Sequence, residues 1–258
     1  MAIPILKNYK QILALWFLGL LGVISVLPVI PQLIAIQNQP IPFSIFQVQV
    51  ITFIQSGVLI LGAVILGSIF SLKVNLSAPV LEAIFKGEPV LTKFKPQIIP
   101  AFLGGILGGV FIVIFALKFQ ALLPSEFLLA AKKLSMPWYA RIFYGGIAEE
   151  LLIRWGLMSF LVWLLYRCFQ NGAQEIKPII YVSAIFVSAV VFGLGHLPMA
   201  HALSSVVNIP LIVYILVGNA IFGFVAGGLY WKYGLECAIV SHMLAHITMV
   251  ILEPMVIA

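Results

Sequence analysis

The chain has 258 residues, of which 63% are hydrophobic and 9% are charged, and its net charge is +6. A soluble domain carries about 25% charged residues, so the composition excludes a mainly soluble protein and predicts an integral membrane protein. Its Lys and Arg residues are spread over short segments between apolar stretches. We therefore interpret the positive charge as a sign of membrane topology and not as a nucleic-acid surface.

Apolar stretches long enough to cross a bilayer, about 20 residues each, recur along the chain. They cover approximately residues 12–36, 47–72, 98–117, 138–166, 179–196, 207–230 and 236–257. We predict an all-α, polytopic transmembrane bundle of seven spans, or of eight if the first or third stretch is split. Between the second and third spans, residues 76–97 alternate apolar and charged side chains, which predicts a short amphipathic helix along the cytoplasmic interface.

The basic residues predict the orientation of the bundle. With the N-terminus inside, the cytoplasmic segments carry Lys7, Lys10, Lys73, Lys86, Lys93, Lys95, Arg167, Lys177 and Lys232. Two of the outer loops, 37–46 and 197–206, carry no Lys or Arg, and the third, 118–137, carries three lysines. This bias favours a cytoplasmic N-terminus. The first apolar run is too long for a signal peptide, and we expect a multi-pass protein of the bacterial inner membrane.

The fourth predicted span contains three charged residues, Glu149, Glu150 and Arg154. Each such charge near the middle of a bilayer costs about 2.5–3.5 kcal/mol. Glu150 and Arg154 are one helical turn apart and can pair, whereas Glu149 is rotated by about 100° and has no such partner. We expect Arg154 to hold Glu150 charged and oriented, which leaves Glu149 for another role. The alternative is a buried ion network that only joins helices.

Three of the four histidines lie in or beside predicted spans. His196 is at the outer end of the fifth span, and His242 and His246 are four residues apart in the seventh. A lone histidine in a membrane usually joins helices, but two at this spacing can bind one metal ion, as in the HExxH pattern of zinc proteases. Here Met243 follows the first histidine, so a general base has to come from another helix, and Glu149 could supply it.

Taken in order, these residues resemble the CPBP family of intramembrane proteases, which includes the CAAX prenyl endopeptidases and the bacterial Abi-type proteins. The family's first motif is two glutamates, three residues and an arginine, which matches Glu149, Glu150 and Arg154. Its second is an aromatic residue, three residues and a histidine, which matches Phe192 and His196. The resemblance covers the C-terminal half. It divides the chain into N-terminal transmembrane helices with an interfacial loop (1–135) and a catalytic helical core (136–258).

The third motif departs from the family pattern at one position. It is a histidine, three residues and usually Asn or Asp; His242 fits, and His246 replaces the amide or acid. The resemblance implies a protease site within the membrane, in which Glu149 and His196 activate a water. His242 and His246 would then bind a metal or stabilise the oxyanion.

The extra imidazole favours a metal. Three histidines (His196, His242 and His246), Glu149 and a water would suit Zn²⁺. A metal-free mechanism, in which the glutamate alone acts as the base, is the alternative.

The resemblance implies that the partners are membrane lipids and a membrane-associated or prenylated protein or peptide. A bacteriocin-like peptide and a membrane-anchored regulator are also compatible with it. Two other functions stay open. Intramembrane Glu and His residues also mark ion- or proton-coupled transporters, although no inverted repeat with broken helices is visible. A non-catalytic binding or scaffold protein would keep the same motifs.

Three other polar residues have simpler interpretations. We expect Arg141 to extend to the lipid headgroups, Glu253 to reach interfacial water, and Asn219 either to pack between helices or to orient a ligand.

The depth of the histidines conflicts with a single site. At 1.5 Å per residue, His196 lies about 25 Å along the fifth span, and His242 lies about 9 Å into the seventh from the same side. A shared site requires tilted helices, different span boundaries, or a seventh span that begins deeper.

Overall fold

The structure is a computed structural model that describes residues 9–37, 40, 42–134, 136–171 and 175–256. Lys7, residue 135 at the predicted domain boundary, and residue 257 of the predicted seventh span lie outside the described residues. In chain order the helices are α1 (Tyr9–Val26), α2 (Ile30–Gln37), α3 (Ile45–Phe70), α4 (Pro79–Lys86), α5 (Val90–Phe119), α6 (Ser125–Leu134), α7 (Trp138–Gln170), α8 (Pro178–Gly195), α9 (Leu197–Leu203), α10 (Ile209–Tyr233) and α11 (Leu235–Val256). The described residues contain no strand.

Seven helical stretches are long and apolar enough to cross a bilayer. They are Tyr9–Gln37, Ile45–Lys73, Val90–Leu122, Trp138–Gln170, Pro178–Leu203, Ile209–Tyr233 and Leu235–Met255. The predictions of an all-α polytopic bundle and of seven spans are confirmed. The chain is a multi-pass integral membrane protein.

The third span begins earlier than predicted, at Val90 and not near residue 98. Lys93 and Lys95 interrupt the apolar stretch in the sequence, but both are exposed on the first turns of α5, where a charge does not disturb the helix. Pro96 and Pro100 lie inside the same helix. Spanning helices tolerate such prolines because neighbouring groups satisfy the freed backbone carbonyls.

The loop before the third span forms a helix over only part of its predicted length. Residues 79–86 form α4, and Gly87, with φ +70°, ends it. This helix covers the start of α11. Ser77 O accepts a hydrogen bond from Leu235 N at 3.0 Å, and Leu81 N donates to Glu236 Oε1 at 2.8 Å.

The fifth and seventh spans begin in different surroundings. Leu235, the first residue of α11, is 0% exposed beneath α4, whereas Ile179, near the start of α8, is 61% exposed. The Nε2 atoms of His196 and His242 lie 3.6 and 4.0 Å from the Glu149 carboxylate, so the two histidines are at the same level and the conflict in depth is resolved.

Helix α7 lies at the centre of the bundle, packed against α1, α3 and α11. Leu151, Trp155 and Met158 are fully buried, and Trp155 Nε1 donates to Val64 O of α3 at 3.2 Å. Lipid tails are as apolar as leucine, so close packing and interhelical hydrogen bonds supply the stability of such a bundle.

The predicted division of the chain between residues 135 and 136 stays a prediction.

Candidate active site

The site is built around a widened part of α7. Residues 141–149 and 151–158 are wound as π-helix, a geometry that is rare in proteins and frequent at functional sites. Gly145 and Gly146 face α11, where a Cβ would collide with the side chains of His246 and Met243. These two glycines allow the close approach of α7 and α11 that carries Glu149 to the histidines.

Glu150 and Arg154 form a fully buried ion pair. Arg154 Nη1 lies 3.1 Å from Glu150 Oε1, and both side chains are at most 1% exposed. Arg154 Nη2 also donates to Gly223 O of α10 at 3.2 Å, and the guanidinium lies 4.9 Å from the centre of the Phe192 ring. The pair therefore joins α7 to α8 and α10.

The second partner of Glu150 is His242. His242 Nδ1 lies 2.7 Å from Glu150 Oε1. A carboxylate held by an arginine only accepts hydrogen bonds, so Nδ1 carries the proton. This fixes the ring and directs Nε2 towards Glu149, whose Oε2 is 4.0 Å away.

His196 is oriented by its own helix. Its Nδ1 donates to Phe192 O at 2.9 Å, because a carbonyl oxygen can only accept. Its Nε2 lies 3.6 Å from Glu149 Oε1. The aromatic residue of the second motif thus supplies the backbone acceptor that holds the histidine. The His196 side chain is 35% exposed and that of His242 only 5%.

His246 lies beside the cluster without touching Glu149. Its ring stacks on that of His242, with centroids 4.8 Å apart and planes 15° apart. Its Nε2 faces Gly145, and its Nδ1 is buried with no hydrogen-bond partner among the described residues. The structure therefore brings five of the predicted residues together: Glu149, Glu150, Arg154, His196 and His242. His246 lies against the ring of His242 and does not contact Glu149.

These groups line a cavity of about 290 Å³ between α7, α8, α10 and α11. Glu149, His196, His242, His246 and Asn219 give it a polar wall. The remaining lining residues are Val26, Met136, Ala140, Arg141, Tyr144, Gly145 and Phe192. The cavity can hold several water molecules, or a peptide group in contact with Glu149.

The four predicted zinc ligands do not converge on one point. In the described part of the chain, no group of three or more His, Cys, Asp or Glu side chains is arranged to hold a metal ion. A tetrahedral zinc site places neighbouring ligand atoms about 3.3 Å apart. Glu149 lies 3.6 and 4.0 Å from the Nε2 atoms of His196 and His242. The Nε2 atom of His246 faces Gly145. The side chains as placed do not fit the predicted zinc site, which stays an expectation from the sequence.

The sequence does not reveal a second ion pair at the edge of the cavity. Arg141 donates two hydrogen bonds to Glu253, at 2.6 and 2.8 Å, and so joins the start of α7 to the end of α11. Both side chains stay partly exposed, and their contacts with headgroups and interfacial water remain expectations. The residues are 112 positions apart, and only the unusual position of both charges inside apolar stretches could have suggested their pairing.

The fold and the cluster define a polytopic membrane protein with an acid–base site inside its helical bundle. Residues 132–248 match the family model described as type II CAAX prenyl endopeptidase Rce1-like. The matched region contains all three motifs and confirms the resemblance of this part of the chain to the CPBP family of intramembrane proteases. Comparisons with curated proteins and with solved structures gave no match.

Proposed function

We propose that the protein is an intramembrane endopeptidase that hydrolyses a peptide bond in a prenylated or otherwise membrane-associated protein or peptide. One observation carries this proposal. The carboxylate of Glu149 and the Nε2 atoms of His196 and His242, which come from three different spans, face one another across 3.6 and 4.0 Å. The match of residues 132–248 to the family model supports the same class of reaction.

Glu149 and His196 are suited to bind and activate a water. With Nδ1 protonated, a neutral His196 presents a lone pair at Nε2, opposite the acceptor oxygen of Glu149. A water molecule between them can donate one hydrogen bond to the histidine nitrogen and one to the carboxylate oxygen. Glu149 then accepts a proton from this water as its oxygen attacks the carbonyl carbon of the substrate.

His242 is suited to stabilise the oxyanion that forms. Glu150 accepts its Nδ1 proton, so a second proton at Nε2 would give the ring a donor that points at the oxyanion. Glu150 and Arg154 are thus positioning residues and do not contact the substrate.

The reaction balances without a further reactant. The C–N bond breaks as Glu149 returns its proton to the leaving nitrogen, and the remaining hydrogen of the water passes to the amine, so the products are a carboxylate and a protonated amine. No step requires a metal, and His246 has no direct part in proton transfer in this scheme.

The proposal is tested with purified protein in proteoliposomes and a farnesylated CAAX-type peptide. Glu149→Gln keeps the size and packing of the side chain but removes the base, so we expect the cleavage rate to fall by about 10²–10⁴-fold. The matched control is Glu88→Gln, because Glu88 is an exposed residue outside the site, and it should cleave at the wild-type rate.

Wild-type turnover by Glu149→Gln would overturn the assignment of the base. Wild-type protein that binds the peptide but never cleaves it would instead indicate a binding or scaffold protein.

A further inference from the structure

Asn219, a polar residue in the membrane-spanning helix α10, has no part in the proposed reaction. Its side chain is partly buried and lines the cavity that Glu149 also lines. It faces a neighbouring cavity of about 140 Å³ as well, and Phe192, His242 and His246 line both spaces with it. Asn219 therefore lies beside the catalytic groups, where α8, α10 and α11 meet.

The orientation of the Asn219 amide is fixed by its own helix. Nδ2 donates to Ile215 O, one turn earlier, at 2.8 Å. A carbonyl oxygen only accepts, so the nitrogen and not the oxygen of the amide faces Ile215. The second N–H and the oxygen Oδ1 have no partner among the described residues, and Oδ1 is not fully buried. Oδ1 is therefore an acceptor that a bound molecule can reach from the cavity.

Most of the other polar groups of this cavity are already engaged. In the proposed reaction Glu149 and His196 hold the attacking water, and His242 faces the oxyanion. Arg141 carries only donors, and they are engaged in its ion pair. The amide oxygen of Asn219 is thus a neutral acceptor that the reaction leaves free.

A peptide that binds inside the bundle needs partners for its backbone. Its N–H groups lose their hydrogen bonds to water, and a buried N–H without an acceptor is strongly unfavourable. In a β-ladder, one residue exchanges both its N–H and its C=O with the neighbouring strand. A free side-chain amide offers the same donor and acceptor, so Asn219 can hold one extended residue beside the peptide bond that Glu149 contacts.

We propose that Asn219 is a substrate-binding residue, which accepts a hydrogen bond from a backbone N–H next to the scissile bond. This contact would position the carbonyl carbon in front of Glu149. The inference rests on the proposed peptidase function and adds how the substrate backbone is held. Because the contact is made to the backbone, it does not depend on the side chains of the substrate.

The experiment replaces one backbone N–H of a membrane-anchored peptide at a time by an ester oxygen. The scissile bond stays an amide, and the ester is placed in turn at each neighbouring peptide bond. With wild-type protein in proteoliposomes, kcat/KM should fall by about 10–100-fold at one position, because Oδ1 is then left without its donor. It should change by less than about threefold at the others. This measurement does not depend on any variant.

Asn219→Leu tests whether the loss comes from Asn219. Leucine has nearly the same size and no hydrogen-bonding group, so the variant should cleave the all-amide peptide about 10–100-fold more slowly. With the ester at the sensitive position it should lose no more than about threefold further, because the hydrogen bond is already absent. A merely structural role would make the two losses independent, so that they multiply.

Thr248→Val is the matched control. Thr248 Oγ1 donates to Leu244 O at 2.8 Å, as Asn219 Nδ2 donates to Ile215 O, but Thr248 lines neither cavity. This variant should keep the wild-type rates and the wild-type dependence on the position of the ester. If Asn219→Leu does not fold, Asn219→Ala removes the same groups without adding apolar bulk and takes its place.

Equal cleavage of all the ester peptides by the wild type would disprove the contact and leave the peptidase function standing. The same conclusion would follow if Asn219→Leu lost a further tenfold or more at the sensitive position. If the wild type cleaves none of the peptides, the all-amide one included, the proposed function fails and this inference fails with it.

Discussion

Glu150 is the residue on which the cluster depends, although it does not face the substrate in our scheme. It is fully buried and is held by Arg154 and His242 at 3.1 and 2.7 Å. In the sequence it differs from Glu149 only by its spacing to Arg154. The structure gives the two glutamates different surroundings, since one is enclosed by partners and the other lines a cavity.

Removal of Arg154 should destabilise the protein as well as inactivate it. Arg154→Ala leaves Glu150 as a buried charge without its cationic partner, which costs about 3–5 kcal/mol. We expect a clear fall in the midpoint of thermal unfolding in detergent, together with lost cleavage. The double variant Glu150→Gln/Arg154→Met removes both charges and should be more stable than Arg154→Ala. An Arg154→Ala protein as stable as the wild type would contradict the pair.

His246 decides between the two chemistries that the sequence leaves open. Its ring stacks on His242 and does not reach Glu149, so we expect His246→Asn to retain cleavage within about tenfold. Mass spectrometry of purified wild type and His246→Asn should find no stoichiometric zinc in either, and cleavage should persist in chelator. About one zinc per chain, lost in the mutant, would establish a metal site of the predicted type.

Among the elements, α7 and α11 determine the geometry of the site, and they are joined at two places. Gly145 and Gly146 allow close contact in the middle, and the Arg141–Glu253 pair closes the end near the cavity.

Breaking the Arg141–Glu253 pair should loosen the end of α11 with little effect on the fold. The side chains are 21% and 34% exposed, so we expect Arg141→Ala to cost about 1 kcal/mol or less. Proteolysis of the C-terminal turns of α11 should become faster. The exchanged variant Arg141→Glu/Glu253→Arg should restore the wild-type rate of proteolysis, because it re-forms the pair. If the exchanged variant is cut as fast as Arg141→Ala, the pair does not hold the helix.

The sequence predicts the membrane-spanning helices better than the contacts between them. Hydropathy is a local property, so seven apolar stretches are visible without a structure. The burial of the start of α11 depends on the segment at α4 that lies over Leu235, a contact between residues far apart in the chain. The cavity of about 140 Å³ between α5, α10 and α11 depends on the relative rotation of these helices, which no local pattern reports.

The orientation of the whole molecule in the membrane can be tested with a cysteine that the chain already contains. Cys168 is exposed near the end of α7, on the predicted cytoplasmic side, and Cys237 is buried. With the N-terminus inside, a membrane-impermeant maleimide should leave the wild type unlabelled in intact spheroplasts and label it in inverted vesicles. Cys168→Ser/Lys133→Cys should show the reverse, since α6 lies at the other end of the bundle. Labelling of the wild type in intact spheroplasts would reverse the predicted orientation.

The orientation also determines the side of the membrane towards which the cavity lies. The cavity that Glu149 lines is also lined by Met136 and Arg141, near the start of α7, and by His196, at the end of α8. It therefore lies towards the end of the bundle opposite Cys168. In the proposed reaction, the way in which the chain is inserted would therefore determine the compartment that receives the cleaved fragment. An N-terminus inside would suit a secreted or surface-anchored peptide that matures after export. The opposite insertion would suit a lipidated protein trimmed in the cytoplasm.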